Sequence, residues 1–374
     1  MANRLRPEII ITGAGASGLW MGYHLINHGF KGKILFIDQN LYSRKGKNWS
    51  FWAKEDEEIS KFASFSWDTL LFETPKVYKE FPIAPLKYFT VRSSSFEGFM
   101  LHFLKESGQT EFVEDEIIEV LGNGTAICKN NTYQAEEFIL SSIYDLEHIQ
   151  KEARSFLWQH FYGRVIEFDQ PVFKENVMGF MNFEIPQTHG IDFIYTLPFS
   201  DRMALVEYTI FSKDLLEFDE YAKAWDQYIK KTFKSEYWVL EEEFGKIPMT
   251  DFRFPYRKEK ILYIGTAGGH VRGATGYGFK NMYHETQNLA LKIISGKVPN
   301  QPFQSKTRHD FYDSVFLKVL KTHPNPYEIF ESMFTKRNPK DVLKFLGKEG
   351  SLLDDLKIIS ACPPIPFIKA LFGK

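Results

Sequence analysis

Two glycine-rich segments far apart in the chain carry the first chemical signal. Residues 9 to 18 read IIITGAGASG, and residues 262 to 282 read LYIGTAGGHVRGATGYGFKNM. In the first, Ile9, Ile10 and Ile11 predict a short buried strand. Gly13, Gly15 and Gly18 then allow a tight turn, close approach of the backbone to a pyrophosphate, and tight packing of the next helix. A second apolar strand, Ile34 to Ile37, ends in Asp38, 20 residues after Gly18, where an acid accepts hydrogen bonds from an adenosine ribose. In the second segment, Gly265, Gly268 and Gly269 let backbone approach a bound ring or ribityl phosphate. Gly276 and Gly278 open a helix from about Phe279, whose positive end suits an anionic ligand. Together the two turns predict one FAD held at both ends. His270 and Arg272 in this loop are either ligand contacts or surface groups.

Glu207 is the candidate catalytic group. It lies in the run Met203 to Phe211, where alternation places it with Met203, Leu205 and Thr209, opposite Ala204, Val206, Tyr208 and Ile210. Both faces are largely apolar, so the carboxyl is expensive to ionise. Such a group serves as a proton donor or as a fixed charge beside a cation. The structural alternative is an Arg or Lys partner across the sheet.

Composition narrows the class. The chain has 374 residues and a net charge of -2, which gives no electrostatic case for nucleic acid. Cys128 and Cys362 stand alone, against a disulfide framework, a metal site or a redox pair. The start passes directly into the first strand, with no signal peptide expected, and no apolar run is long enough to span a membrane. The expected compartment is the cytoplasm, with peripheral contact on the inner face of its membrane through Pro364 to Phe372. That stretch mixes Ile365, Phe367, Ile368, Leu371 and Phe372 with Lys369, and Lys374 follows it. Core packing of this helix is the equal alternative. The 36 Phe could line an apolar tunnel, although ordinary packing explains most of them.

These elements predict an α/β protein: a Rossmann-like FAD-binding domain (residues 1–60, 90–145 and 255–297), an inserted antiparallel sheet domain for substrate (61–89 and 146–254), and a helical C-terminal region (298–374). Asn48 to Trp52 (NWSFW) reads as an aromatic loop and Val91 to Leu104 as a helix. Short strands through Ile143, with a turn at Gly122 to Gly124, finish the first sheet. Long strands at Val165 to Phe168, Val177 to Phe183, Phe193 to Leu197, Met203 to Phe211 and Phe244 to Met249, with a helix at Asp219 to Lys231, form the second.

The segments GAGASG, NWSFW, YTLPFSDRMALVEYTIFS, EEEFGKIPMTDF, IGTAGGHVRGATGYGF and FLGKEGSLLDDLKIISACPPIPFIKALF, in this order, resemble the lycopene cyclases of the bacterial and plant β type over nearly the whole chain. The resemblance implies a redox-neutral cyclisation of a linear carotenoid end with reduced FAD, NAD(P)H being the expected reductant. It places the family's essential acid on Glu207. It implies a lycopene-like substrate and leaves the oligomeric state open. Two places depart from the pattern. Met181-Asn182-Phe183-Glu184 stands where members carry Met-Asp-Phe-Arg, removing an acid expected near the pocket. Val271-Arg272-Gly273-Ala274 brings a cation close to the flavin loop. The competing readings are an FAD-dependent monooxygenase or oxidoreductase, which usually has Gly-Asp where this chain has Gly265-Thr266, and a carotenoid-binding protein without catalysis.

Overall fold

The structure is a computed structural model that describes residues 7–41 and 46–372. Its first layer is a six-stranded sheet in the order Arg257–Lys258, Ile261–Tyr263, Phe138–Ser141, Ile9–Thr12, Ile34–Asp38, Thr110–Glu114. It is parallel except for the two-residue strand at Arg257. Strands of this kind are buried on both faces, which explains the uninterrupted apolar run Ile9, Ile10, Ile11. Helices Ala16–Asn27, Ser93–Glu106 and Phe279–Ile294 cover one face. Trp20 is fully buried there against Phe96, Phe279 and Tyr283.

Two expectations about this half are corrected. Of the short strands before Ile143, only Thr110–Glu114 and Phe138–Ser141 enter the parallel sheet. Ile117–Leu121, Thr125–Cys128 and Thr132–Gln134 form a separate antiparallel sheet, because hairpins pair with themselves more readily than they reach a parallel neighbour. Asn48 to Trp52 is strand rather than loop. Asn48–Lys54 pairs with Leu86–Arg92 over seven residues, and its alternation buries Phe51 against Phe89.

The second layer is a seven-stranded sheet in the order Tyr237–Thr250, Phe156–Phe168, Met203–Ser212, Ile191–Pro198, Val177–Asn182, Thr69–Thr74, Val77–Pro82. It is mixed rather than wholly antiparallel, since Val177–Asn182 runs parallel to Thr69–Thr74. The chain returns to this sheet after a long excursion, and a parallel pairing is what such a crossover permits. Helix Phe218–Thr232 lies on one face, started by a reciprocal Glu217/Glu220 capping box. It buries Tyr221, Trp225 and Ile229 against Val206, Tyr208 and Ile210. Each large side chain buried there contributes on the order of 1.5–3 kcal/mol. The opposite face carries Leu205 and Phe211 and packs toward the C-terminal helices Arg308–Thr322, Tyr327–Lys336 and Pro339–Leu346, which share its core. Helices Leu352–Ile359 and Pro364–Phe372 follow. Thr307 with Asp310, Asn338 before Pro339, and Ser351 with Asp354 supply the caps that start three of these short helices. Among the described residues, no helix is long and apolar enough to cross a membrane. Lys374 lies outside the described residues.

Candidate active site

The strand Ile9–Thr12 ends at Gly13, whose φ of +97° only glycine adopts cheaply. The chain then enters helix Ala16–Asn27 with Gly15 as N-cap and no side-chain cap, leaving first-turn N–H groups for a ligand. A Cβ built on Gly18 would lie 1.9 Å from the Gly13 oxygen, so Gly18 is fixed by helix-on-strand packing. Among the described residues, a Cβ on Gly15 would meet no atom beyond its own chain neighbours within 4 Å. Packing does not exclude a side chain at Gly15, and this is the position the pyrophosphate reading singles out. Asp38 sits at the end of the neighbouring strand and accepts from Ala14 N at 2.7 Å and Asn40 N at 2.8 Å.

The second glycine segment is brought against the first, since a Cβ on Gly265 (φ +62°) would lie 3.0 Å from Ser17 Cβ. Gly268 and Gly269 crowd Tyr263 and Phe254, and a Cβ on Gly276 would strike Gln159 Oε1 at 1.9 Å. These glycines let the loop thread between the two sheets. Gly278 is the N-cap of helix Phe279–Ile294, which has neither a side-chain cap nor an acid in its first turn. His270 and Arg272 both turn inward. Burial lowers the His270 imidazole to about 4, so the neutral ring accepts from Gly265 N at 3.1 Å and braces the loop. Arg272 is buried, paired with Asp313 at 2.9 Å, and donates to the Phe345 carbonyl. The cation expected beside the flavin loop is therefore neutralised by the C-terminal helices.

Glu207 sits on the face with Leu205 and Thr209, as alternation requires. It is half-buried on the sheet face that packs toward the C-terminal helices. Its cross-strand environment is acidic. In Phe156–Phe168, Gly163 pairs with Glu207 on one side and with Glu243 on the other. A Cβ on Gly163 would lie 3.4 Å from Glu207 Cβ and 3.2 Å from Glu243 Cγ, so the missing side chain is what lets the two carboxyls meet. Burial and then the Glu243 charge push the Glu207 carboxyl well above the carboxylate range, although Thr209 Oγ1 donates to its Oε1 at 2.6 Å. Burial also raises Glu243. It is opposed by Asn48, whose backbone N and Nδ2 donate to Glu243 Oε2 at 3.1 and 2.7 Å. The expected alternative, a cation across the sheet, is replaced by a second acid.

Tyrosines complete the surroundings. Tyr195 pairs directly with Glu207 on the next strand, and its hydroxyl lies 2.9 Å from that of Tyr277. Tyr88 hydrogen-bonds Tyr277 in turn. Burial holds all three phenols well above their usual range, with Glu207 adding to the shift, so they stay neutral. Trp52 meets Tyr277 edge-on at 4.5 Å, and Phe180 meets Tyr88 and Tyr195.

Sequence reasoning missed Glu243 and the tyrosines. Glu243 ends the run Glu241-Glu242-Glu243, and the signal that could have found it is strand alternation, which puts it on the side of the buried Met249. Asn182 is corrected in the opposite sense. A bulge between Gly179 and Asn182 interrupts the alternation. Asn182 Nδ2 instead donates to Glu73 at 2.8 Å, next to Tyr228 of the covering helix. The acid lost at position 182 is thus matched by Glu73, on the side away from Glu207. Burial and then Glu184 raise Glu73 to about 7.

The fold has solved relatives. A geranylgeranyl bacteriochlorophyll reductase-like protein from Thermoplasma acidophilum superposes with a TM-score of 0.69 at 14% identity, over 97% of this chain and 98% of that one. A flavin-dependent brominase gives 0.56 at 16% identity, over 98% of both chains. In sequence, the chain is 21% identical to the lycopene beta-cyclase of Pantoea ananas over 97% of both proteins. It is 22% identical to the chloroplastic neoxanthin synthase of Solanum tuberosum, over 79% of this chain and 62% of that protein. The model of the lycopene cyclase protein family matches residues 8–372, from the first glycine turn through the acid pair to the last helix, and the chain belongs to that family.

Proposed function

We propose that this protein cyclises the linear ψ-ends of lycopene or a related acyclic carotenoid to β-ionone rings, without net oxidation, by acid-initiated carbocation chemistry. The observation that carries the reading is Glu207: a carboxyl kept protonated by burial and a neighbouring acid, on a face lined with aromatic rings. Its proton goes to a terminal double bond, the resulting tertiary cation closes the ring, and proton loss sets the ring double bond. Tyr88, Tyr195 and Tyr277 offer π-faces to a cation and remain neutral. Enclosure keeps water from trapping it.

Gly13, Gly15, Gly18 and Asp38 would hold the adenosine and pyrophosphate end of FAD. The loop from Gly265 through Gly268, Gly269 and Gly276 to Gly278 would hold the flavin end. The uncapped helix starts and the open side of Gly15 fit such a group. When bound in reduced form, FAD supplies an electron-rich ring beside the cation, and NAD(P)H is the proposed reductant. In this reading residues 1–60, 90–145 and 255–297 form the cofactor domain, 61–89 and 146–254 the substrate domain, and 298–374 the C-terminal region. We further propose peripheral membrane contact in the cytoplasm. Helix Pro364–Phe372 packs Phe367 on Phe316 while leaving Ile365, Ile368, Leu371 and Phe372 exposed, and Leu353 of the preceding helix is exposed too.

The decisive experiment is anaerobic conversion of lycopene by the FAD-loaded protein, reduced once, with Glu207→Gln in parallel. Many turnovers per reducing equivalent are expected. The variant should fold, bind FAD and lose activity by on the order of 10² to 10⁴. Strict oxygen dependence would favour a monooxygenase, and wild-type turnover by the variant would remove Glu207 from the chemistry. Gly15→Val should abolish FAD binding, read by cofactor absorbance after gel filtration; tight binding would overturn the cofactor assignment.

A further inference from the structure

A second acid beside the first suggests how the donor is recharged. Glu243 is buried, and both donors from Asn48 reach its Oε2, whereas its Oε1 receives no N–H or hydroxyl hydrogen bond from the described residues. The two carboxyls share a hydrogen bond that raises Glu207 and lowers Glu243, as it does when Glu207 is the donor. Glu243 also lines a cavity of about 390 Å³, with Lys47, Asn48, Arg92, Leu205, Glu241 and Glu242 among the residues around it. The Arg92–Glu241 ion pair, partly exposed, stands at this cavity and marks it as open to water. Glu207 is not among the cavity's lining residues. Glu243 thus touches the polar vestibule on one side and the buried acid on the other.

We propose that Glu243 is a proton-relay residue, acting through Glu207, that carries protons from the vestibule to the catalytic acid. The inference rests on the cyclase reading. In the resting pair Glu207 holds the proton and Glu243 is the anion steadied by Asn48. Donation to the substrate leaves two adjacent carboxylates, which cannot both stay ionised at such close range. The pair takes one proton from vestibule water at Glu243 and passes it to Glu207. The proton lost from the ring cation returns to solvent. One proton enters and one leaves per ring, and no electrons are transferred. Gly163 is the structural condition for the relay, since any side chain there would stand between the acids.

The groups facing the pair fix the sign of its pH dependence. Tyr88, Tyr195 and Tyr277 are neutral, Thr209 and Asn48 donate, Glu241, Arg92 and Lys47 line the vestibule, and the Glu242 carboxylate turns away to Arg164 on the other face. Replacing Glu243 by Gln removes the like charge that holds the Glu207 proton. Glu207 then ionises at lower pH, and the alkaline limb of the pH–rate profile moves down. The full-length, FAD-loaded Glu243→Gln protein should fold, turn over at least tenfold more slowly, and show that shift. Infrared difference spectroscopy across a pH titration reads the pair independently of turnover. The protonated-carboxyl band that persists in the wild type above the Glu73 titration near 7 should vanish in Glu207→Gln and titrate at lower pH in Glu243→Gln. An unmoved pH profile and an unmoved band in Glu243→Gln would overturn the relay, even where its melting temperature falls. If Glu243→Gln does not fold, Asn48→Ala serves, since losing the 2.7 Å donor makes Glu243 more basic and should move the limb to higher pH; an unchanged limb overturns the relay. Failure of the wild-type protein to cyclise lycopene would defeat the cyclase reading, and wild-type turnover by Glu207→Gln would remove Glu207 from the chemistry and the relay with it, while in either case the infrared band would still test the pair.

Discussion

The two faces of the same three strands treat charge in opposite ways. Gly163 and Arg164 are neighbours in sequence, as are Glu242 and Glu243, and alternation sends them to opposite sides of the sheet. Under helix Phe218–Thr232, Arg164 is clamped by Glu242 at 2.8 Å and Asp226 at 3.0 Å, and it lies over the rings of Tyr162 and Trp225. On the other face Glu207 and Glu243 confront each other across a glycine. The first face shows how this protein settles charge when only stability is at stake. The second leaves two acids sharing one proton, an arrangement that costs stability and is useful for moving that proton.

The largest effect should come from separating the acids without removing either. Gly163→Val places methyl groups where Leu205 Cδ1, Glu243 Cγ and Glu207 Cβ already lie within 3.4 Å of a Cβ. Displacing a carboxyl by about 1 Å should cut turnover by on the order of 10²-fold. Overpacking should also cost about 1–3 kcal/mol of stability by denaturant unfolding. A Val variant with wild-type turnover would show that the spacing of the pair is immaterial.

The opposite face should respond in the opposite way. Arg164→Leu removes a cation whose acidic partners are about half exposed, so its loss should cost only about 1–2 kcal/mol. Turnover should stay within twofold of wild type. A tenfold drop in a folded Arg164→Leu protein would mean that the covering face also tunes the acid pair.

The smallest effect concerns Glu73, which sits with Asn182 and Tyr228. Its folded value of about 7 exceeds the ordinary 4.5, so the native state holds a proton that the unfolded chain releases. The stability this supplies is present below about 4.5 and is lost as pH rises toward about 7. Glu73→Gln should flatten that slope in urea melts across the window, with turnover unaffected. An identical slope in both proteins would show that Glu73 is not the titrating group.

The glycine half of the molecule was legible because its signals are local. Gly13, Gly15 and Gly18 act within one turn, Asp38 ends the adjacent strand, and Phe279 begins a helix where the glycines stop. Glu207 was legible for the same reason, since its face follows from its own strand. Glu243 was not, because its meaning depends on the register of two further strands and on the glycine between them. Local pattern could not decide the role of Arg272 either: its partners, Asp313 and Phe345, lie 41 and 73 residues away. The parallel pair in the seven-stranded sheet and the bulge at Asn182 escaped notice because crossovers and bulges leave no periodic trace.

Arg272 also ties the glycine loop to the far end of the chain. The loop that holds it is synthesised well before Asp313 and Phe345, and until they arrive its guanidinium has neither of these buried partners. A buried, unpaired cation is too costly to keep. The buried position of Arg272 therefore depends on the C-terminal helices, and removing Asp313 should loosen the glycine loop from 41 residues further along the chain.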